Sequence, residues 1–563
     1  MEARNRTLTD WFTRVRTGQV LLPRFQRHEA WGHREITSLL ESVLRGLPTG
    51  AALTLEIGDD PPFIARTLVG APAPTERVTE HLLDGQQRLT ALWRALHDDY
   101  DDRTYLVGIE DDNDGNATTI VRAEPTYDKK GQRYPLWLED PAECWKRDWI
   151  PLSLCRPGIP DDDVNAWAYA AADGDSREAW AIDKTISRYS TTIGAFNIPF
   201  LSLPPGTPRE TALDVFINMN TSSVKLRSYD IVVAQYEAAT GESLHDQVAE
   251  LEAAVPRLAS YREAENLLLD VAALREDRTP SQASYHRLDL RHLSEQFEEL
   301  TRGAAFAVGV LEAESIFDSD RLPTVAVLPI LGALEPHVPK GGDERGNAMS
   351  LIRAYLWRSF TTGRYEGAAA TRALQDLRGL IDALRGGDNS APIFDEELYH
   401  LPQPEELVRA RWPKTRQTLA RAMLCASLRR GAFDIADGAK ATPGNMNSRE
   451  YHHLFPDAYL EQKGDLESSE IDRALNCSLI TWTTNRRIGA KPPLTYLKER
   501  IELGSLGEGE VRRRLESHLI PWDEFVSSSG DDVAGSYRSF LEARSILVAD
   551  YLTDLCHGRE PNT

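Results

Sequence analysis

Two adjacent histidines and two asparagines near the end of the chain have side chains that could hydrolyse a phosphodiester bond. His452 and His453 stand in the run Tyr-His-His-Leu-Phe-Pro, and Asn476 and Asn485 follow, nine positions apart. Phosphodiester hydrolysis with one hard metal ion needs ligands that hold the cation at the scissile phosphate. It also needs a neutral imidazole that deprotonates the attacking water. His452, His453 and Asn485 supply those chemical types.

The elements around these residues predict how they meet. Asn476 opens the apolar run Cys477–Trp482, which is typical of a strand, and Asn485 follows in a predicted helix. With the histidines at the end of an earlier strand, two strands and a helix would surround one metal ion, the ββα-metal arrangement. Adjacent residues of a strand point to opposite faces, so the two histidines are expected to have different roles. For the dipeptide alone, a surface or capping position remains the alternative.

A second polar group, Asp84–Arg88 (Asp-Gly-Gln-Gln-Arg), lies where a predicted strand ends and a helix begins. The first turn of a helix has unpaired N–H groups and the positive end of the helix dipole, which both attract phosphate, and Arg88 could add a bidentate contact. Asp84 could instead cap the helix, with Gln87 completing a capping box. A further arginine and glutamine cluster, Pro23–Arg27, precedes the first helix of the same region and favours a ligand site.

A third polar stretch, Phe216–Leu226, lies between apolar segments, and its alternative interpretation is a helix-capping loop. Together the three stretches resemble the N-terminal domain of GmrSD-type restriction proteins, a ParB-like domain, over roughly residues 8 to 240. The resemblance implies binding or hydrolysis of GTP or ATP and, as in the related SspE proteins, sensing of phosphorothioate-modified DNA. It assigns nucleotide binding to Asp84, Gly85, Gln86, Gln87, Arg88, Arg24, Gln26, Arg27 and Asn220.

The histidine and asparagine stretch resembles the HNH nuclease module at the C-terminus of the same proteins. That module has an acidic residue or His, then His, an apolar pair and Pro, followed by Asn-x-x-Leu and a later Asn. By this resemblance His453 is the general base, His452 and Asn485 are metal ligands, and Asn476 orients the base. Many members carry Asp or Glu at the position of His452. The softer imidazole predicts activity with Mn²⁺, Co²⁺ or Ni²⁺ alongside Mg²⁺.

The overall charge limits how the chain could bind nucleic acid. A formal net charge of −23 argues against binding through net charge, because phosphate recognition relies on clustered Lys and Arg. Residues 405–430 form a local exception, with seven basic and two acidic residues. Within it the DNA contacts are predicted at Arg409, Arg411, Lys414 and Arg416. A solvated helix face is the alternative.

Length and hydrophobic pattern predict a mainly helical α+β chain of several domains. Residues 1–235 are predicted to form the ParB-like α/β sensor domain, residues 236–392 a helical middle domain, and residues 393–563 a ββα-metal nuclease embedded in helices. Two segments rich in acidic and small residues, at about 108–117 and 157–179, are expected to be surface insertions.

The function predicted is that of a nucleotide-responsive, metal-dependent endonuclease of bacterial antiphage defence, which cuts or nicks foreign or modified double-stranded DNA. Charges interrupt the first 20 residues and no run of about 18 apolar residues occurs, so we expect a cytoplasmic protein without a membrane partner. Five cysteines without a Cys-x-x-Cys pair indicate neither a disulfide framework nor a cysteine zinc site. Two alternative functions stay open: a nucleotide-gated sensor of modified DNA with a degenerate nuclease site, and a toxin nuclease. Assembly into a homo-oligomer also stays open.

Overall fold

In the first part of the chain, apolar residues that alternate form strands and those that recur every three or four positions form helices. In the computed structural model this part is one unit, Met1–His245, and a second unit comprises Asp246–Thr563. The structure describes residues 2–26, 31–59, 61–111, 117–128, 131–220, 228–387, 390–503, 507–527 and 532–561.

The N-terminal unit mixes short strands with helices. Its elements are β1 (Glu2–Thr7), α1 (Leu8–Thr17), β2 (Val20–Pro23), α2 (His33–Leu44), β3 (Ala52–Glu56), β4 (Ala65–Arg66), β5 (Glu80–Asp84), α3 (Gln86–Leu96), β6 (Arg103–Asp111), β7 (Ala117–Pro125), α4 (Pro141–Trp145), β8 (Trp149–Pro151), α5 (Asp161–Ala171), α6 (Ser176–Ala195), β9 (Asn197–Leu203), α7 (Arg209–Asn220) and α8 (Ser228–Thr240). The helix and strand order predicted around residues 35–96 is present.

A mixed six-stranded sheet in the order β1-β9-β3-β5-β2-β4 is the frame of this unit. β2 and β5 run parallel, with Val20 opposite Glu80 and Leu21 opposite His81. Both strands therefore end at the same edge of the sheet, and the chain that follows each of them begins there. A smaller antiparallel sheet has the order β7-β6-β8.

Helices α1, α2, α3 and α6 supply most of the helical residues in the apolar core of this unit. The ring of Trp11 packs edge-on against Phe200 at 5.4 Å, and Phe12 packs against Trp93 at 5.1 Å. The predicted apolar face of α2 is buried. Its buried residues are Ile36, Leu39, Leu40 and Val43.

The acidic segment at 157–179, expected to be a surface insertion, contributes to this core. It contains α5, whose Val164, Ala168 and Ala171 are buried, while the residues of its first turn, 161–163, are exposed. Helical spacing collects these small apolar residues on one face, so an acidic composition did not place the segment outside the core.

The second unit is dominated by helices. Its elements, beginning with the helix that spans the boundary, are α9 (Leu244–Ala254), α10 (Ala264–Arg275), α11 (Gln282–Tyr285), α12 (Leu290–Glu295), α13 (Phe297–Ala313), α14 (Val327–Leu334), α15 (Gly342–Thr361), α16 (Ala369–Leu384), α17 (Pro404–Arg409), α18 (Thr418–Arg430), β10 (Arg449–His453), α19 (Asp457–Gly464), α20 (Ser468–Ile471), β11 (Cys477–Thr481), α21 (Trp482–Ile488), α22 (Pro493–Leu503), α23 (Gly507–Glu516), α24 (Trp522–Ser527) and α25 (Val533–Cys556). The predicted class, a mainly helical α+β chain, is confirmed.

The predicted domain boundary between residues 392 and 393 falls inside this second unit and stays a prediction. There α15 packs against both α18 and α25. Arg358 of α15 donates from Nε to the carbonyl oxygen of Cys556 at 3.1 Å. Among the described residues, no helix combines the length and the apolar character needed to cross a membrane.

A buried ion pair in the N-terminal sheet predicts a measurable loss of stability. Arg6 of β1 donates two hydrogen bonds to the carboxylate of Glu80 (2.9 and 2.7 Å), and both side chains are more than nine-tenths buried. Arg6→Met leaves the buried carboxylate with only its longer contact to Arg14 (3.3 Å) and should lower the free energy of unfolding by about 2 to 3 kcal/mol.

Arg4→Met is the matched control, because Arg4 lies in the same strand but its pair with Glu56 is exposed. We expect a clear fall of the urea midpoint for Arg6→Met and little change for Arg4→Met in the full chain. Equal midpoints for the two variants would contradict the assigned role of the buried pair.

Candidate functional site

Strands β10 and β11 and helix α21 form the predicted strand, strand and helix. The two strands pair antiparallel over their full length, with His452 opposite Ser478 and His453 opposite Cys477. Helix α21 follows β11 directly, because Thr481 ends the strand and caps the helix by accepting the N–H of Thr484. The end of β10 that carries both histidines therefore meets the beginning of β11.

His452 lies in the protein interior and contacts Asn485. Its Nδ1 is 2.8 Å from Oδ1 of Asn485, whose Nδ2 donates to Oε2 of Glu450 at 2.8 Å. This second bond turns the amide oxygen towards the ring, so Nδ1 of His452 carries the proton and Nε2 is the accepting nitrogen. Nε2 is buried without a hydrogen-bond partner among the described residues. Burial lowers the pKa of His452 to about 4, so the imidazole is neutral near pH 7.

His453 has different neighbours from His452, as alternation along a strand requires. Its Nε2 is 3.0 Å from Oδ1 of Asp472, and its ring stacks on Trp412 with centroids 4.0 Å apart and planes 12° apart. About a fifth of its side chain is exposed, 22%. Solvent can therefore reach the imidazole that the sequence indicates as the general base.

Asn476 is fully buried and holds the turn that follows the histidines. Its Oδ1 accepts the N–H of Phe455 (2.9 Å), and its Nδ2 donates to the carbonyl oxygens of Phe455 (3.1 Å) and Ile471 (3.3 Å). Its backbone carbonyl also accepts the N–H of Leu454. Asn476 thus positions the chain next to His453.

Asp434 is a buried residue of this region that the sequence analysis missed. Its carboxylate accepts the N–H of Thr481 (2.7 Å), the hydroxyl of Thr484 (2.6 Å) and two N–H groups of its own loop. Burial opposes its ionisation, but these hydrogen bonds hold the pKa of Asp434 below its ordinary value. It anchors the first turn of α21, which carries Asn485. No sequence motif indicates this role, because Thr481 and Thr484 lie about 50 positions after Asp434.

The predicted DNA-binding residues lie on a segment beside this arrangement. The N–H of Ala474 donates to the carbonyl oxygen of Ala410 (3.0 Å), and Nη1 of Arg473 donates to that of Arg409 (3.0 Å). Trp412 of the same segment is the residue that stacks on His453. The four predicted contacts are all exposed: Arg409, Arg411, Lys414 and Arg416.

Two other arginines of the basic run have structural partners instead. Arg421 is buried and donates to the carbonyl oxygen of Leu322 (3.0 Å). Arg429 forms ion pairs with Glu314 (3.0 Å) and Glu560 (2.7 Å). The exposed basic surface of residues 405–430 is thus concentrated next to His453.

In the N-terminal unit, two of the predicted nucleotide-binding stretches meet. They follow the parallel strands β2 and β5, at whose carboxyl ends ligands commonly bind in α/β sheets. Gln26 is buried, and its Nε2 donates to the carbonyl oxygens of Leu82 and Leu83, both at 2.8 Å. The N-cap residue of α3 is Gly85, whose φ of +96° suits glycine, and not Asp84. The capping box considered for Asp84 and Gln87 is therefore not formed.

Arg88 supports the loop before β3. Its Nη1 donates to the carbonyl oxygen of Thr49 (2.9 Å) and its Nη2 to that of Ala51 (2.7 Å), and Asp84 lies 3.5 Å away. A side chain at Gly50 would approach Nη1 to 3.0 Å, so glycine leaves room for the guanidinium. Burial lowers the pKa of Arg88, and the nearby carboxylate of Asp84 partly offsets this lowering. Arg88 therefore has a structural task whether or not it also binds phosphate.

The third stretch meets the first through aromatic contact. The ring of Phe216 packs against Phe25 at 5.3 Å, and α7 ends at Asn220. Arg27 and residues 221–227 lie outside the described residues, as does the side chain of Asn220. The structure thus brings the first and third stretches together at Phe25, and Gln26 connects the first stretch to Leu82 and Leu83, just before the second.

Glu237 of α8 is a buried carboxyl near these stretches that sequence reasoning missed. Its Oε1 accepts the N–H of Ile64 at 2.6 Å. Burial raises the pKa of Glu237 to about 7, although Arg209 and Arg24 act in the opposite direction. The sequence indicates this buried carboxyl only weakly, because a lone glutamate in an apolar helix is common.

Buried Asn476 generates a stability prediction. Asn476→Ala removes three hydrogen bonds and leaves both polar groups of Phe455 unsatisfied, which should lower the free energy of unfolding by about 2 to 3 kcal/mol. Asn266→Ala is a control, since that side chain makes one exposed bond to Glu263. Thermal unfolding should separate the variants; an unchanged midpoint for Asn476→Ala would refute its positioning role.

Comparisons with known proteins bear on the N-terminal unit above all. Residues 8–237 match the family model described as the GmrSD restriction endonuclease, N-terminal domain. The chain is also similar to the uncharacterized protein MJ0686 of Methanocaldococcus jannaschii, with 22% identity over 615 residues that cover 98% of each chain. The family match includes all three polar stretches. For residues 8–237, it supports the resemblance to GmrSD-type restriction proteins that those stretches indicate.

Proposed function

We propose that the protein is a metal-dependent DNA endonuclease of antiphage defence, in which a nucleotide-responsive N-terminal domain controls a C-terminal HNH nuclease. The main observation in support is the contact of His452 with Asn485 in the arrangement of two strands and a helix. The match of residues 8–237 to a restriction endonuclease family gives independent support. A cytoplasmic location goes with this proposal, since the DNA of an infecting phage is present there.

The residues around His452 suit a divalent cation. Nδ1 of His452 and Oδ1 of Asn485 are 2.8 Å apart. Two adjacent ligand atoms on an ion with bonds of about 2.1 Å lie about 3 Å apart, and the proton that Nδ1 carries here would have to move to Nε2 before Nδ1 could bind the ion. Glu450 adds a carboxylate beside them. Imidazole and amide ligands suit Mn²⁺, Co²⁺ or Ni²⁺ as well as Mg²⁺. A cation held there would polarise the scissile phosphate and stabilise the leaving oxygen.

In this proposal His453 takes a proton from the attacking water, and the exposed basic segment at residues 409–416 holds the DNA backbone. Phosphate contacts from Arg and Lys position the duplex without reading its sequence. Trp412 connects the DNA-binding segment to the proposed base, because it belongs to that segment and stacks on His453.

For the N-terminal unit we propose that GTP or ATP binds where β2 and β5 end, with its phosphates at the start of α3. Support comes from Gln26, which ties the first stretch to β5, and from the glycine at the N-cap of α3, Gly85, which lets a phosphate approach the backbone closely. Binding there would control cleavage only if the nucleotide has different affinities for two states of the protein.

A sensor with a degenerate nuclease site is the second candidate. The described residues contain no group of three or more His, Cys, Asp or Glu side chains that could hold a metal, and this observation favours it. A cleavage assay distinguishes the nuclease from the sensor. The full chain is incubated with modified or unmodified phage DNA, with and without nucleotide and with and without Mn²⁺ or Mg²⁺. Metal-dependent cleavage supports the nuclease, and binding without cleavage supports the sensor. Loss of viability in uninfected cells that express the protein would instead indicate a toxin.

His453→Ala should reduce the cleavage rate by about 10²-fold or more, because it removes the imidazole that is proposed to accept the proton of water. DNA affinity and melting temperature should change little, since the ring is partly exposed. His400→Ala is the control: His400 is exposed in the same unit and pairs with Glu406. Near-normal cleavage by folded His453→Ala would exclude it as the base.

Arg88→Met should abolish the binding of GTP or ATP in a calorimetric titration. Because Arg88 also supports the loop at Thr49 and Ala51, the variant should be less stable as well. Arg94→Met controls for this effect, since Arg94 of the same helix donates from Nε and Nη2 to the carbonyl oxygen of Asp99. Both variants should melt earlier, and only Arg88→Met should lose the nucleotide. Unchanged affinity in Arg88→Met would leave Arg88 with a structural role alone.

A further inference from the structure

Asp472 lies outside the motif from which the nuclease site was predicted, yet its carboxylate contacts the proposed base. Oδ1 of Asp472 is 3.0 Å from Nε2 of His453. We propose that Asp472 is a positioning residue for His453: it holds the proton on Nε2 and so presents Nδ1 to the attacking water. The proposal rests on the proposed nuclease function.

The hydrogen-bond chemistry decides which nitrogen is free. A carboxylate only accepts hydrogen bonds, so Nε2 of His453 must be the protonated nitrogen in this contact. Nδ1 then has the lone pair that a general base needs. In the proposed step an O–H bond of water breaks, the proton forms a bond to Nδ1, and the oxygen attacks phosphorus. The ester P–O bond on the opposite side breaks, and the leaving oxygen takes a proton from solvent water. The carboxylate of Asp472 stabilises the imidazolium that results.

Trp412 restrains the ring from a second direction. The indole and imidazole planes are 12° apart at a centroid separation of 4.0 Å, so the ring of His453 lies flat on Trp412. The stack limits tilting of the ring, and the bond to Asp472 limits its rotation in the plane of the stack. Two restraints of different kind therefore fix one orientation of the base, as a catalytic geometry requires.

The backbone around Asp472 is itself anchored. Arg473, the next residue, donates from Nη1 to the carbonyl oxygen of Arg409, and the N–H of Ala474 donates to that of Ala410. These bonds hold Asp472 beside the segment that carries Trp412. The side chain of Asp472 is 53% exposed, and a contact between partly exposed polar side chains contributes little to stability. A contribution to folding stability therefore explains the contact between Asp472 and His453 only weakly.

The test compares Asp472→Ala and Asp472→Glu in the full chain with Glu470→Ala. Glu470 is a matched control, because it is an exposed carboxylate two positions earlier that pairs with Arg538 and not with a histidine. Cleavage of plasmid DNA in Mn²⁺ measures kcat and KM. Nitrogen-15 spectra of histidine-labelled protein without metal report the tautomer of His453, whose signal is identified by its absence in His453→Ala.

We expect kcat of Asp472→Ala to fall about 10- to 100-fold with KM within twofold of the wild type, partial recovery in Asp472→Glu, and no change in Glu470→Ala. The Nε2-protonated signal of His453 should weaken in Asp472→Ala alone. An unchanged kcat or an unchanged signal in Asp472→Ala overturns the proposal. If wild-type protein cleaves nothing, the nuclease function fails, and the spectra still decide whether Asp472 sets the tautomer of His453.

Discussion

The antiparallel pairing of β10 and β11 is the interaction on which the candidate nuclease site depends. It places both histidines at one end of a two-stranded ribbon, where Asn485, in the helix that follows β11, reaches His452. A shift of the register by one residue would exchange the faces of His452 and His453. Asn476 opposes such a shift, because its amide binds both polar groups of Phe455 just beyond the end of β10.

A buried side-chain amide performs a similar task in each unit. Gln26 joins the first polar stretch to the end of β5 through two carbonyl oxygens, and Asn476 joins the start of β11 to the turn after β10. An amide has donors and an acceptor, so it satisfies backbone groups of another segment that an apolar residue would leave unpaired. Residues that belong to a functional motif can thus be structural themselves and serve function by positioning their neighbours.

Local pattern predicted most of the elements that matter here. The apolar face of α2, the order of β3, β5 and α3, and the succession of β10, β11 and α21 follow from residue periodicity, which is a property of a few consecutive positions. Reasoning from composition was wrong for α5, because its acidic and small residues predicted a surface insertion although one face of the helix is buried. Burial depends on what an element packs against, and composition does not contain that information.

By itself the sequence determined the residue types of both sites, the spacing of their motifs and the elements that carry them, because these are local properties. Only the tertiary structure decided which groups meet. Gln26 reaches Leu82, Asp434 anchors the start of α21, and Trp412 and Asp472 enclose His453 from segments about 40 positions before it and 19 positions after it. Such contacts depend on strand order, register and packing between distant segments, which no single motif encodes.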